Sequence, residues 1–272
     1  MKQPDIIIYM SDQHGAAYTS WGDVKADTPV LEEIKNNGVS FEQAYSPCPL
    51  CVPARMSMMS SRLPHRTGVY DNNFTIPNTM PCYTHELVKA GYETVLIGRM
   101  HFIGKDQRHG FTKRLAGDIT PVSWKKPFGK IISERGKTTS AFSSGGATKL
   151  AGAGPSIVTE YDNYVLDTAR KYIAKKHDKP QFIVVGTFGP HCPYIADEVL
   201  FQKYMERVNE PGFFDENEIP DFVKKNPALA QKMKDENVTS DIAKGCLAAY
   251  LAQVERDVYK RQEKSRRKQS PK

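Results

Sequence analysis

The sequence predicts an α/β protein with a largely parallel central sheet flanked by helices. Short apolar runs of strand length alternate with stretches of helical periodicity. Each run also ends in a polar loop marked by Gly or Pro, the pattern of strands joined by helical crossovers. Ligand sites in such sheets lie beyond the carboxyl ends of the strands, so the loops are where chemistry is sought.

The elements follow in order. Asp5 to Met10 is a continuous apolar run, as in a parallel strand buried on both faces. It stops at Ser11-Asp12-Gln13-His14-Gly15. Thr28 as N-cap and Pro29 at the first helical position open a helix through Asn37, which Gly38 stops. Val39 to Tyr45 reads as a second strand. Pro47, Pro49 and Pro53 punctuate the next stretch, and Ala54 to Ser61 reads as helix. Thr84 caps a short helix to Ala90, Gly91 ends it, and Tyr92 to Ile97 returns as strand. Residues 113–155, rich in Gly, Ser, Thr and Lys, have little periodicity and read as a long loop, an insertion or substrate lid. A helix from about Ile157 to His177 leads into the strongest strand, Gln181 to Phe188, which ends at Gly189-Pro190-His191-Cys192-Pro193-Tyr194. Helical stretches at 196–207 and 240–259 complete the order, with no internal repeat.

Composition narrows the function classes. With 272 residues, 39% hydrophobic and 25% charged, the chain is long enough to bury a large core. Mean hydropathy is −0.53 and no apolar run reaches membrane length. The run Ile6 to Met10 is too short for a signal-peptide core, which points to a cytoplasmic protein. The net charge of +7 suggests a nucleic-acid partner, but residues 260–272 alone carry +6 and leave +1 for residues 1–259. The body therefore has no broad phosphate-tracking face, and the tail reads as solvated, disordered chain. Five cysteines, at 48, 51, 82, 192 and 246, are an odd count and argue against a disulfide framework.

Four clusters can carry chemistry: SDQH at 11–14, CPLCVPAR at 48–55, GRMHF at 98–102 and GPHCPY at 189–194. Each follows a strand or opens a helix, so all could converge on one end of the sheet. Taken singly, each has a plain explanation. Asp12 can cap a turn, His101 and His191 can be hydrogen-bonded structural residues, and Arg55 and Arg99 can be surface charges. The Cys48–Cys51 pair can be a redox dithiol or half of a zinc site. Pro53 and the missing thioredoxin-like context weigh against the first reading. The lack of a second CxxC or CxxH weighs against the other.

A stronger reading comes from the motifs together. Cys51-Val52-Pro53-Ala54-Arg55 matches C-x-P-x-R, and the continuation MSMMSSRLPHRTGVYDN, the opening DIIIYMSDQHG, the segment IGRMHFIGKDQRHGF and TFGPHCPY follow in order. In these the chain resembles the sulfatase family, most of all its choline-sulfatase-like and phosphonate-monoester-hydrolase-like members. The resemblance covers residues 5–111 closely and about 157–200 more loosely. It implies an alkaline-phosphatase-like fold, with residues 1–259 as the N-terminal catalytic portion of the domain. It also implies that a maturation enzyme converts Cys51 to formylglycine, whose hydrated aldehyde attacks sulfur with one hydroxyl and releases sulfate with the other. By the same resemblance Asp12, Gln13 and position 51 hold a divalent metal, calcium first, with magnesium or manganese as alternatives. Arg55 holds the diol, His101 and His191 act in catalysis with one as proton shuttle, and Asn72 and Arg99 bind the sulfate of a small-molecule ester.

Three departures from the family pattern qualify this. Ala54 stands where many members have Ser, and Arg99 stands where a Lys is usual, keeping the charge on a planar fork. The family's second metal motif, Asp followed by Asn or His, has no match after Tyr194. LAAYLAQVERD resembles the helix before that motif, after which the sequence turns abruptly basic, so a chain lacking the C-terminal part of the fold is expected. The alternatives to a sulfuric ester hydrolase are a phosphonate monoester or phosphodiester hydrolase of the same superfamily, and an inactive fragment or binding module.

Overall fold

In the computed structural model the described residues are 3–120, 148, 150–209, 221, 225–226 and 238–259. Their elements in chain order are β1 Ile6–Met10, α1 Pro29–Asn37, α2 Cys51–Ser60, α3 Pro64–Thr67, α4 Tyr83–Lys89, β2 Glu93–Gly98, β3 Lys113–Ala116, β4 Gly152–Ala153, α5 Ile157–Ile173, β5 Gln181–Gly186, β6 Ile195–Ala196, α6 Glu198–Arg207 and α7 Ser240–Tyr259. No helix among them is long and apolar enough to cross a membrane. The chain divides into two compact units, residues 1–12, 40–128 and 160–188 in the first and 13–39, 129–159 and 189–272 in the second.

The first unit is built on a parallel four-stranded sheet in the order β1-β5-β2-β3. Its two central strands explain themselves. The sequences ETVLIG and QFIVVG are rich in β-branched residues, and β5 is buried along its whole length. Alternation splits them between two cores. Leu96, Phe182 and Val184 join Val52, Met56, Met59 and Phe102 on one face. On the other face Val95, Ile97, Ile183 and Val185 join Val165 and Ala169 of α5. Each such side chain contributes about 1.5–3 kcal/mol by leaving water. The register brings Gly98 opposite Gly186, at the carboxyl ends of β2 and β5. There the backbone of Arg99 approaches Gly186 closely enough to donate its N–H to the Gly186 carbonyl at 2.8 Å. Gly98 takes φ +95°, and a Cβ there would meet the Gly186 carbonyl, so the crossing requires glycine.

The second unit packs α6 and α7 with the two-stranded parallel sheet β4-β6. Small residues on α7, namely Ala248, Ala249 and Ala252, lie in its core beside Tyr204 of α6. Tyr204 donates to Glu255 and accepts from the Asp27 amide, and Lys203 reaches both carboxylates.

Several expectations need correction. β1 is not buried on both faces: it lies at the edge of the sheet, with Ile6 37% and Ile7 46% exposed. Val39 to Tyr45 is not a strand. Val39, Phe41 and Tyr45 are exposed, because an apolar run gains nothing from extension without a neighbouring strand to pair with. Residues 113–155 are not one loop, since Lys113–Ala116 pairs with β2 and Gly152–Ala153 with β6; residues 121–147 and 149 of the expected lid lie outside the described residues. The helix expected from Ala54 starts at Cys51, because Pro53 sits in a first turn whose N–H groups have no intrahelical partner to lose. The helix from Ile157 ends at Ile173, four residues before His177. Thr28 precedes α1 without a capping bond, and its hydroxyl accepts from the Ser20 amide instead. Thr84 lies inside α4 and donates to the His109 carbonyl, while Cys82 is the N-cap. The basic stretch 260–272 lies outside the described residues.

Candidate active site

In the first unit the ends of β1, β2 and β3 and the start of α2 bring together Asp12, Cys51, Arg55, Arg99, His101 and Asp118. Asp12 follows β1 directly. Cys51 is the first residue of α2, where the positive end of the helix faces it. Asn72 reaches back to that end, its Oδ1 accepting from the Val52 amide at 2.9 Å. Arg55 lies one turn further on the same face.

The geometry is that of a buried charge cluster. Asp12 Oδ2 accepts from Arg55 Nη2 at 3.1 Å and from Arg99 Nε at 2.5 Å. Arg55 Nη1 also donates to the Arg99 carbonyl at 3.3 Å and touches the Met10 sulfur. Arg99 is 1% exposed, and its guanidinium lies over the Phe188 ring with its centre 4.5 Å from the ring centroid. Its Nη1 donates to Thr120 Oγ1 at 3.1 Å and to Asp118 Oδ1 at 3.4 Å, and its Nη2 to His101 Nδ1 at 3.1 Å. Two carboxylates thus balance two guanidinium groups in a region shielded from water, the condition under which buried charges are tolerated.

Titration follows from this arrangement. Burial and the nearby Asp12 carboxylate raise the Cys51 thiol above its ordinary range, although Arg99 and Arg55 pull the other way. The thiol stays protonated at neutral pH, so the unmodified cysteine is a weak nucleophile. A carboxylate oxygen of Asp12 and the Cys51 sulfur lie within 4.8 Å. Burial and the Arg99 charge push the His101 imidazole down to about 4. That departs from a shuttle titrating near neutral pH. Burial would raise Asp118, but Arg99 and hydrogen bonds from Thr120 hold it at about 2.

Gln13 and His191 belong to the second unit. The Gln13 side-chain amide donates to Tyr194 Oη at 3.3 Å, and the Gln13 backbone carbonyl accepts from the Tyr250 hydroxyl at 2.7 Å. His191 Nδ1 lies 2.9 Å from the Cys192 carbonyl and 3.4 Å from the Cys192 sulfur. Asp118 and Thr120 were missed in the sequence because they fell within the presumed lid. The signal was present: Gly117-Asp118-Ile119-Thr120 is a polar stop directly after the short run Arg114-Leu115-Ala116.

Comparison with known proteins gives a consistent result. The sulfatase family model matches residues 4–245. The chain is similar to choline-sulfatase of Rhizobium meliloti, 34% identical over 222 residues, which are 74% of this chain and 41% of that protein. It is also similar to N-acetylglucosamine-6-O-sulfatase of Bacteroides thetaiotaomicron, 30% identical over 145 residues, covering 51% of this chain and 26% of that one. Among solved structures, phosphonate monoester hydrolase of Agrobacterium radiobacter superposes with a TM-score of 0.68 at 14% identity, over 98% of this chain and 60% of that one. At that identity the likeness shows the fold, the alkaline-phosphatase-like sheet and helices. The chain spans about two fifths of the length of the choline-sulfatase it matches.

Proposed function

The chain belongs to the sulfatase family, and from this we propose that it hydrolyses sulfuric esters of small molecules through a formylglycine formed from Cys51 by a maturation enzyme. The observation that carries the reading is the setting of Cys51. It opens a helix within Cys51-Val52-Pro53-Ala54-Arg55, and Arg55 and Arg99 converge beside it on Asp12. A formylglycine side chain fits the same half-buried position, and when formed it supplies the hydrated aldehyde whose hydroxyl groups attack sulfur and then release sulfate.

The chain's own residues do the rest. Arg55, locked on Asp12, places a permanent positive charge one turn from residue 51. Asn72 fixes the helix end that carries that residue. Arg99, with its donors spread over Asp12, Thr120, Asp118 and His101, holds the loop after β2 and adds positive charge beside residue 51. In this reading His101 meets the leaving oxygen, and Arg99 reaches the sulfate by charge rather than by a free donor fork.

Calcium, with magnesium or manganese as alternatives, is the proposed ion. The residues fit it only in part. Calcium takes six to eight oxygen ligands, whereas Asp12 Oδ2 is already engaged by two guanidinium groups and Gln13 offers a single side-chain carbonyl oxygen. Asp12 and Gln13 alone fall short of that number, and no step is assigned to the ion.

Two measurements test the proposal. Peptide mass spectrometry of chain co-produced with a formylglycine-generating enzyme should show loss of the thiol at Cys51 alone. Parallel assays on aryl sulfate and aryl phosphonate esters should favour the sulfate. Preference for the phosphonate would transfer the site to phosphonate monoester hydrolysis, and full sulfatase activity with an intact thiol would refute the formylglycine.

A further inference from the structure

The loop after β2 is anchored by one carboxylate. Asp118 lies just past the carboxyl end of β3, and its side chain is 1% exposed. Its Oδ2 accepts from the backbone amides of Met100 at 3.1 Å and His101 at 2.7 Å. Its Oδ1 accepts from the Thr120 amide at 3.0 Å, the Thr120 hydroxyl at 2.7 Å and Arg99 Nη1 at 3.4 Å. His101 takes a left-handed φ of +55°, which costs a residue with a side chain roughly 1–2 kcal/mol. The bond from its amide to a buried carboxylate supports that conformation.

Arg99 is held at both ends, by Asp12 at Nε and by Asp118 and Thr120 at Nη1. Its Nη2 is thereby directed to His101 Nδ1, at 3.1 Å. A guanidinium has donors and no acceptor, so Nδ1 must accept, and the ring proton of neutral His101 sits on Nε2.

We infer that Asp118 is a positioning residue that fixes His101, through Arg99 and the loop backbone, as a neutral Nε2–H donor to the substrate. The inference rests on the ester-hydrolase reading above for the identity of that substrate. A neutral imidazole held in this way stabilises an oxygen that gains negative charge without first having to be protonated. The low basicity of His101 agrees with this role. Asp118 reaches the reaction only through Arg99 and His101, which distinguishes it from both.

The experiment has two arms on the full chain. Long-range proton–nitrogen correlation spectra of histidine-labelled protein at pH 7, with His101 assigned through His101→Gln, should show a proton on Nε2 and none on Nδ1. The reverse tautomer would overturn the inference whether or not the chain hydrolyses any ester. In the second arm, Asp118→Asn should give mixed tautomers at His101 and lower kcat on 4-nitrophenyl sulfate by ~100-fold, with KM changed less than about twofold. Thr120→Ser, which keeps the hydroxyl, should retain both properties, whereas Thr120→Val should lose part of each. An Asp118→Asn protein with a single Nε2–H tautomer and unchanged kcat would refute the positioning role. Should Asp118→Asn fail to fold, the wild-type tautomer and the Thr120 pair decide. A wild-type chain that turns over neither sulfate nor phosphonate would count against the function alone, and the tautomer would still decide the inference.

Discussion

His101 and Asp118 share one network but respond to pH over different windows, and the signs can be worked out for each. His101 titrates at about 4 when folded and near 6.5 when unfolded. The unfolded chain therefore binds the proton first as pH falls, and stability drops progressively between about 6.5 and 4. Asp118 titrates at about 2 when folded against 3.8 in its ordinary state. Its contribution is complete above 3.8 and is lost as pH falls toward 2. The urea midpoint should therefore decline continuously from pH 7 to pH 3. His101→Gln should flatten the part above pH 4 and leave the lower part in place, as read from denaturation curves at half-unit intervals. A variant curve parallel to wild type over the whole range would show that His101 does not carry the upper window. The motifs made Asp12, Cys51, Arg55, Arg99 and His101 legible in the sequence because each stands in a short pattern next to a strand end or helix start. Asp118 stands in no such pattern. Its importance comes from the sheet order that sets β3 beside β2, which no local stretch of sequence encodes.

At the level of elements, legibility followed the number of neighbours an element has. β2 and β5 are flanked on both edges and read correctly from their apolar runs. β1, with a run just as apolar, lies at the edge, and only the pairing partners distinguish the two cases. The same blindness applies to Val39–Tyr45, which has strand composition and no strand partner among the described residues. α2 begins three residues before the Ala54 that the sequence suggests, for a different reason: Pro53, which punctuates the stretch in the sequence, is tolerated in a first turn. That first turn has its own support in Asn72, which satisfies the Val52 N–H from twenty residues away. Asn72→Ala should cost about 1 kcal/mol, the usual worth of an N-terminal cap. It should also loosen the backbone at residue 51, read as faster amide exchange at Val52. The Gly98–Gly186 crossing is less forgiving. A Cβ at Gly186 would stand 2.0 Å from the Arg99 carbonyl, where backbone must shift. Gly186→Ala should destabilise by ~1–3 kcal/mol or more and displace Arg99 with it. Equal stability of Gly186→Ala and wild type by urea denaturation would show that β2 and β5 can separate at that end without cost.

For the molecule as a whole, the decisive quantity is the supply of oxygen ligands set against the charge already present. Residues 1–259 carry a net charge of only +1, so no long-range field gathers or repels a divalent cation, and affinity must come from local donors. Asp12 is the carboxylate at the predicted metal position, and Arg55 and Arg99 already neutralise it. A cation arriving there would meet two fixed positive charges in a buried site, where repulsion is poorly screened. Asp118, the other buried carboxylate of the cluster, is committed to five donors of its own. Calcium sites of dedicated proteins bind with Kd between about 10⁻⁹ and 10⁻³ M by enclosing the ion in oxygens. With Asp12 and Gln13 as the only donors to the ion, binding should be weaker than that range. Linkage then sets the observable: at 1 mM calcium and a Kd no tighter than 1 mM, stabilisation stays at or below about 0.4 kcal/mol. Thermal unfolding with 1 mM calcium and with chelator should therefore give the same Tm within about 2 °C. A rise of 5 °C or more would mean that oxygen donors besides Asp12 and Gln13 close the cage. Asp12→Asn should then abolish the rise, and the same titration would locate the remaining ligands by carboxylate substitution one residue at a time.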